Sequence, residues 1–258
     1  MDYLKLAEKL YDAEKMRSQI GRLTDDFPEM TVEDAYQIQL TNVKRRMEQG
    51  EKLVGLKIGL TSKAMQELLH VDRPDYGHLF DTMLLTEGEV CHMSELIQPK
   101  VEGEITFHIN KTLEGPGITI ADVYEATDFI MPSIEIVDSR IKDWKIKLPD
   151  TIADNGSSAR IMCGSNFSRL EDIDMRTTGM ILEKNGELIN SGAAAEVWGN
   201  PVASVACLAN MLADFHIPLE AGSLVMAGAF TAAIPVQAGD CVTASFTNMG
   251  SATVKFVE

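Results

Sequence analysis

The sequence predicts an α+β fold, with a helical N-terminal region over residues 1–50 followed by a β-rich body over 51–258. Three observations carry this. Apolar residues before Gly50 recur at helical spacing. Beyond Gly50, glycines such as Gly55, Gly59, Gly77, Gly88 and Gly103 punctuate short apolar runs, the texture of strands joined by tight turns. Asn185-Gly186 lies between Ile181-Leu182-Glu183 and Leu188-Ile189, a strong β-hairpin signal.

The elements follow in order. Leu4, Leu6, Leu10 and Tyr11 predict a first helix, which Asp25-Asp26-Phe27-Pro28 interrupts. Thr31 reads as the N-cap of a second helix. Asp34 takes the place of Glu in a capping box, and Ala35, Ile38 and Leu40 follow. This helix should run to about Gln49 and stop at Gly50. Strands are expected at 53–60, 100–109, 132–137, 180–184, 224–227 and 251–257. Two helices should interrupt them. One spans 120–127 and opens at Thr119; the other spans 202–215 and carries Val205, Leu208, Ala209 and Leu212. No internal repeat or low-complexity tract is evident.

The chain has 258 residues, of which 45% are hydrophobic, enough to bury a full core. Asp and Glu outnumber Lys and Arg by 39 to 23, for a formal charge of −16. Such a surface repels phosphate backbones and anionic lipid, which argues against nucleic-acid and membrane partners. Small anionic substrates remain compatible with it, because a bound divalent cation reverses the local field. The charged stretch 1–22 does not read as a signal peptide, and no run reaches the length of a membrane span. Cys91, Cys163, Cys207 and Cys241 are scattered without a paired motif and are expected to be buried free thiols. A cytoplasmic location is expected.

The chemistry concentrates in Gln98-Pro99-Lys100-Val101-Glu102-Gly103-Glu104. Side chains alternate along a strand, so Glu102 and Glu104 point the same way. Two adjacent carboxylates resist joint ionisation, a penalty that a divalent cation removes. Gly103 between them would admit a ligand or another backbone. A third carboxylate, Glu135, sits between Ile134 and Ile136, where it needs a partner. Three carboxylates suit a hard cation such as Mg²⁺ or Mn²⁺. The spacing equally fits a solvated strand face for Glu102 and Glu104.

Five segments occur in order: Gly55-Leu56-Lys57-Ile58-Gly59-Leu60-Thr61, Pro74-Asp75-Tyr76-Gly77, the Gln98–Glu104 run, Ile134-Glu135-Ile136-Val137-Asp138-Ser139-Arg140 and Asp150-Thr151-Ile152-Ala153-Asp154-Asn155. Together they resemble the hydratase/decarboxylase branch of the fumarylacetoacetate hydrolase superfamily, over nearly the whole chain. The resemblance implies a mixed β-sheet roll or sandwich with a helical N-terminal region, making 51–258 the catalytic domain. It implies Glu102, Glu104 and Glu135 as ligands of Mg²⁺ or Mn²⁺, and Lys57 and Asp75 as acid/base residues. Thr231 is implied near the substrate carboxylate. Read without the resemblance, Lys57 fits a surface strand end and Asp75 an ordinary Pro-Asp turn.

The substrate implied is a small 2-oxo or 2-enol acid. The leading expectation is water addition to 2-hydroxypenta-2,4-dienoate, giving 4-hydroxy-2-oxopentanoate in the meta-cleavage catabolism of aromatic compounds. The alternative is decarboxylation of 2-oxohex-3-enedioate (4-oxalocrotonate). Asp75 and Arg140-Ile141-Lys142-Asp143-Trp144-Lys145 favour the hydratase; Ser157-Ser158-Ala159-Arg160 and Gly228–Val236 look closer to the decarboxylase. A hydrolase of the same superfamily would need a His/Glu pair; no well-placed pair lies on the N-terminal side of the metal motif, where His70 and His78 are the histidines left to consider. Arg140 and Asp154-Asn155 are candidates for bracing the metal site. Lys145 and Arg160 are candidates for contacting a second substrate carboxylate. Gly199-Asn200-Pro201 stands where the family often has Gly-His-Pro. A homo-oligomer is implied, with association with the sister pathway enzyme as a further implication.

Overall fold

The computed structural model describes residues 1–258 except 64, 65, 68–70 and 72. Helix α1 (Tyr3–Lys15) and helix α3 (Val32–Glu48) pack together, with the short α2 (Leu23–Asp26) between them in sequence. The capping box predicted at Thr31 is present. Its hydroxyl accepts from the Asp34 N–H, and the Asp34 carboxylate accepts from the Thr31 N–H. Of the residues that predicted α1, Leu6 and Leu10 are buried and Leu4 is exposed, because it falls off the inward stripe.

The body is two mixed sheets. Eleven strands matter most: β1 (Leu53–Gly59), β2 (Asp75–Phe80), β3 (Leu84–Leu85), β4 (Val90–His92), β5 (Lys100–Ile109), β6 (Thr127–Val137), β7 (Ser158–Cys163), β8 (Gly179–Lys184), β9 (Glu187–Ala193), β10 (Leu224–Ala229) and β11 (Ile234–Pro235). The last two are β12 (Cys241–Phe246) and β13 (Gly250–Val257). The larger sheet runs β2-β1-β10-β5-β6-β7-β3, with β11 pairing beside β5; the smaller runs β4-β13-β12-β8-β9. Strands β1 and β10 are parallel, whereas β5 is antiparallel to both β10 and β6. The expected α+β fold with curled mixed sheets is therefore the observed one.

Strands β12 and β13 lie against β6. Gly103 belongs to that contact. A Cβ there would meet the Ala244 and Met180 side chains at 3.1 Å, so this glycine admits the second sheet and not a ligand. Helix α4 (Ile120–Ala126) opens on a second capping box at Thr119. Helix α5 (Leu148–Ala153) packs against α3, and helix α6 (Pro201–Leu212) lies on β10 and β1. Asn200, where a family histidine often stands, caps α6 by accepting from the Val202 N–H at 2.9 Å.

One apolar core joins Leu6, Leu10 and Ile38 of the N-terminal helices to Ile58, Ile134 and Val254 of the sheets. The four cysteines are free, but only Cys91 is fully buried; the other three, in β7, α6 and β12, are half-buried. Among the described residues no helix is long and apolar enough to cross a membrane.

Candidate active site

The site forms where the larger sheet curls over its own face. In the β5–β6 register Glu102 lies directly opposite Glu135, so both side chains leave the same face. Glu104, two residues along β5, joins them. Glu104 and Glu135 are 2% and 1% exposed and Glu102 is half-buried, which removes the solvated-face reading for Glu104. From Ile130 to Val137 strand β6 is buried on both faces, so Ile134 and Ile136 fill one side while Glu135 enters a cavity on the other.

Lys57 reaches this cavity from β1. It is 4% exposed, and its ammonium lies 3.7 Å from Glu135 Oε2. Burial alone would lower its pKa; Glu135 and then Asp75 more than offset this and hold it above the usual lysine range. Asp75 begins β2 opposite Gly59, two residues along β1 from Lys57. It is 2% exposed and accepts from the Thr151 hydroxyl at 3.4 Å. Neither residue is the surface group that its local sequence equally suggested.

The carboxylates carry the strain of being together. Burial, reinforced by Glu135, pushes Glu102 up to about 7. Burial, with Glu135 and Glu102 beside it, raises Glu104 well above the ordinary range. Glu135 is raised by burial against the opposing pull of Lys57. Two oxygens in the cluster, Asp75 Oδ1 and Glu135 Oε1, are buried without a hydrogen-bond partner, as is the Thr231 hydroxyl nearby. Among the described residues no group of three or more His, Cys, Asp or Glu side chains is already drawn together closely enough to hold an ion. Among the described carboxylates of the cavity only Glu135 lies within ion-pair distance of Lys57. The buried, unpaired acceptors and excess negative charge are the donor set that a hard divalent cation fits.

The cavity measures about 470 Å³. The backbone around it is specialised. The Gly228 N–H donates to Glu104 Oε2 at 2.9 Å, from a backbone with φ of +119° that disfavours any side chain. Sequence reasoning missed this donor, although the Gly-Ala sequence closing β10 was a signal for it. The Asp150–Asn155 segment supplies the frame. Asp150 accepts from the Thr24 N–H and hydroxyl at 3.0 and 2.8 Å, tying the N-terminal helices to the site. Asn155 exchanges two hydrogen bonds with the His78 backbone and so anchors β2. Asp154 accepts from Arg140 Nε at 2.5 Å, both groups being buried. These residues brace the loops behind the cavity and do not line it, apart from Thr151.

Other expected contacts are absent from the site. His78, within β2, does not line the cavity; its Nδ1 is 2.9 Å from Gln39 Oε1. His70 lies outside the described residues. Arg160 pairs with Glu95 and Lys145 with Asp143, and neither lines the cavity. Lys100 does line it, a position unmarked by the sequence reading although alternation from Glu102 places it on the same face.

The pattern of the family described as fumarylacetoacetate (FAA) hydrolase C-terminal matches residues 57–257. A 4-oxalocrotonate decarboxylase of Pseudomonas putida is 44% identical over 254 residues, covering 98% of this chain and 96% of that one. A 2-hydroxypent-2,4-dienoate hydratase of Pseudomonas putida is 47% identical over 214 residues, covering 83% and 96%. The solved 4-oxalocrotonate decarboxylase from Pseudomonas putida G7, complexed with magnesium and adipate, superimposes with a TM-score of 0.96 at 42% identity, covering 99% of this chain and 97% of that one.

Proposed function

The chain belongs to the fumarylacetoacetate hydrolase family, and from that premise we propose that it is a divalent-metal-dependent lyase adding water to 2-hydroxypenta-2,4-dienoate to give 4-hydroxy-2-oxopentanoate. The observation that carries this reading is Asp75, buried in the same cavity as Lys57 and the three glutamates, with one carboxylate oxygen unpaired. A water nucleophile needs such an acceptor. Glu102, Glu104 and Glu135 are the residues that would hold Mg²⁺ or Mn²⁺. When bound, the cation would neutralise these carboxylates and polarise the C2 oxygen of the substrate.

The chain's own groups account for the rest. The Lys57 ammonium balances the C1 carboxylate and keeps a proton close to the enol oxygen. Thr231, whose hydroxyl is buried and unpaired, donates to the same carboxylate. The dienol gains a proton at C5 and loses one from the C2 hydroxyl, giving the 3-enone. Asp75, held by Thr151, accepts a proton from the water that adds at C4, while C3 gains one. In this reading 51–258 is the catalytic domain, which residues 1–50 brace through the Thr24–Asp150 contact. A homo-oligomer, alone or associated with a sister pathway enzyme, belongs to the same proposal.

Decarboxylation of 2-oxohex-3-enedioate is the second reading. The cavity extends past Glu102 along β5, leaving room for a longer acid. A product assay decides between them. Formation of 4-hydroxy-2-oxopentanoate from freshly generated 2-hydroxypenta-2,4-dienoate, abolished by a chelator, supports the hydratase. CO₂ release from 2-oxohex-3-enedioate with no action on the five-carbon acid overturns it.

A further inference from the structure

Resting on the reading of Asp75 as the acceptor of the water proton, we propose that Gln39 is a positioning residue for that step, its single carboxamide setting Asp75 against Thr151 from behind the cavity. Gln39 lies on α3, is buried and does not line the cavity. Its Nε2 donates to the Tyr76 carbonyl at 2.9 Å and to the Ile152 carbonyl at 2.7 Å. Tyr76 follows Asp75 in β2, and Ile152 follows Thr151 in α5. The two carbonyls therefore belong to the neighbours of the two side chains that meet in the cavity, where the Thr151 hydroxyl donates to Asp75 Oδ2 at 3.4 Å. That bond is too long to set the spacing of its own backbones, and the shorter pair from Gln39 sets it instead.

The strand order explains why a side chain is needed there. Strand β2 is an edge of the larger sheet, with β1 on one side only. Buried backbone groups on its open side find no strand and need other partners. Asn155 meets those of His78, and Gln39 meets the Tyr76 carbonyl. The amide has one orientation. Both of its hydrogens are committed to carbonyls, so Oε1 accepts from His78 Nδ1, 2.9 Å away. Burial lowers the His78 pKa to about 4, so the ring is neutral at ordinary pH and carries its proton on that nitrogen. A flipped amide would turn its oxygen against two carbonyls. With donors and acceptor all engaged, Gln39 is a spacer with no freedom to turn, joining the strand of Asp75 to the helix of Thr151.

The test is a kinetic cycle. Wild type, Gln39→Met, Asp75→Asn and the double variant are assayed for hydration of freshly generated 2-hydroxypenta-2,4-dienoate at saturating Mn²⁺, and each is titrated with Mn²⁺. Gln39→Met keeps the volume and removes the donors. It should lower kcat at least about tenfold, because a misplacement of about 1 Å costs up to about 10²-fold, and change Mn²⁺ affinity less than about twofold. In the Asp75→Asn background the same substitution should change kcat less than about twofold, since its effect passes through Asp75. Should Gln39→Met fail to fold, Gln39→Asn, whose amide is one methylene too short to span both carbonyls, is read by the same cycle. A merely structural role would lower kcat by one factor in both backgrounds; that result, or wild-type kcat in the Gln39 variant, overturns the proposal while leaving the role of Asp75 intact. Undiminished kcat in Asp75→Asn overturns that role and this proposal together.

Discussion

Replacing Arg140 with methionine isolates the strut behind the site. Arg140 is 4% exposed and donates to Asp154 through Nε and its backbone N–H, with its other guanidinium nitrogens on the Asp138, Ser158 and Asp154 carbonyls. Methionine fills similar volume but leaves the Asp154 carboxylate buried without its cation. Breaking a buried pair on one side costs about 3–5 kcal/mol. The loss should depend on pH. Burial already pushes Asp154 up to about 6 against the pull of Arg140, and losing that pull raises it further. A carboxyl whose folded pKa lies above its unfolded value binds more protons when folded, so its folded form loses stability as pH rises through that window. Urea unfolding at pH 5 and pH 8 should therefore show a larger gap between variant and wild type at pH 8. Arg140→Met with Asp154→Asn should recover part of the loss, since no charge is then stranded. A loss below about 1 kcal/mol at pH 8, or a gap that shrinks with rising pH, would refute the reasoning.

Four further outcomes are expected. Burial lowers the His78 pKa to about 4, so the unfolded chain binds a proton there between about pH 6.5 and 4 while the folded one does not. Stability should fall by about 3 kcal/mol as pH falls through that window, and His78→Gln should flatten the fall in urea midpoints. Asp75→Asn should retain Mn²⁺ binding and lower kcat by about 10²–10⁴-fold in the hydration assay. Glu104→Gln should abolish turnover and weaken Mn²⁺ binding, measured by equilibrium titration, by at least about tenfold. Thr31→Ala removes one half of the α3 capping box and should cost about 1 kcal/mol in chemical denaturation.

Much of the frame was legible from local chemistry. The caps at Thr31 and Thr119, the Asn185-Gly186 turn and the β5 boundaries all depend on neighbours in sequence. Alternation in β5 correctly put Glu102 and Glu104 on one face. The strands that sequence reasoning missed, β2, β3, β4, β7, β11 and β12, have fewer such signs. In β2, Asp75-Tyr76-Gly77-His78 is buried along its whole length, with Gln39 and Asn155, from distant parts of the chain, bonding the Tyr76 carbonyl and the His78 backbone and ring. That support cannot be read from the segment itself. The same holds for the site. The meeting of Lys57 with Glu135 requires the sheet to curl across β10 and β5, a long-range property of strand order. The Gly228 N–H and Lys100 were absent from the sequence reading. The first is a backbone donor, and the ammonium of the second lies over the ring of Trp144, far along the chain. Family resemblance supplied Lys57, Asp75 and Thr231 where local pattern could not.

The central claim is that three carboxylates from β5 and β6 form one cation site beside Lys57. An anomalous difference map from crystals of this protein soaked in Mn²⁺ tests it most directly. The account predicts one strong peak enclosed by Glu102, Glu104 and Glu135, within the cavity that also holds Asp75. A strong peak elsewhere with none among these residues, or no peak at millimolar Mn²⁺, would contradict it.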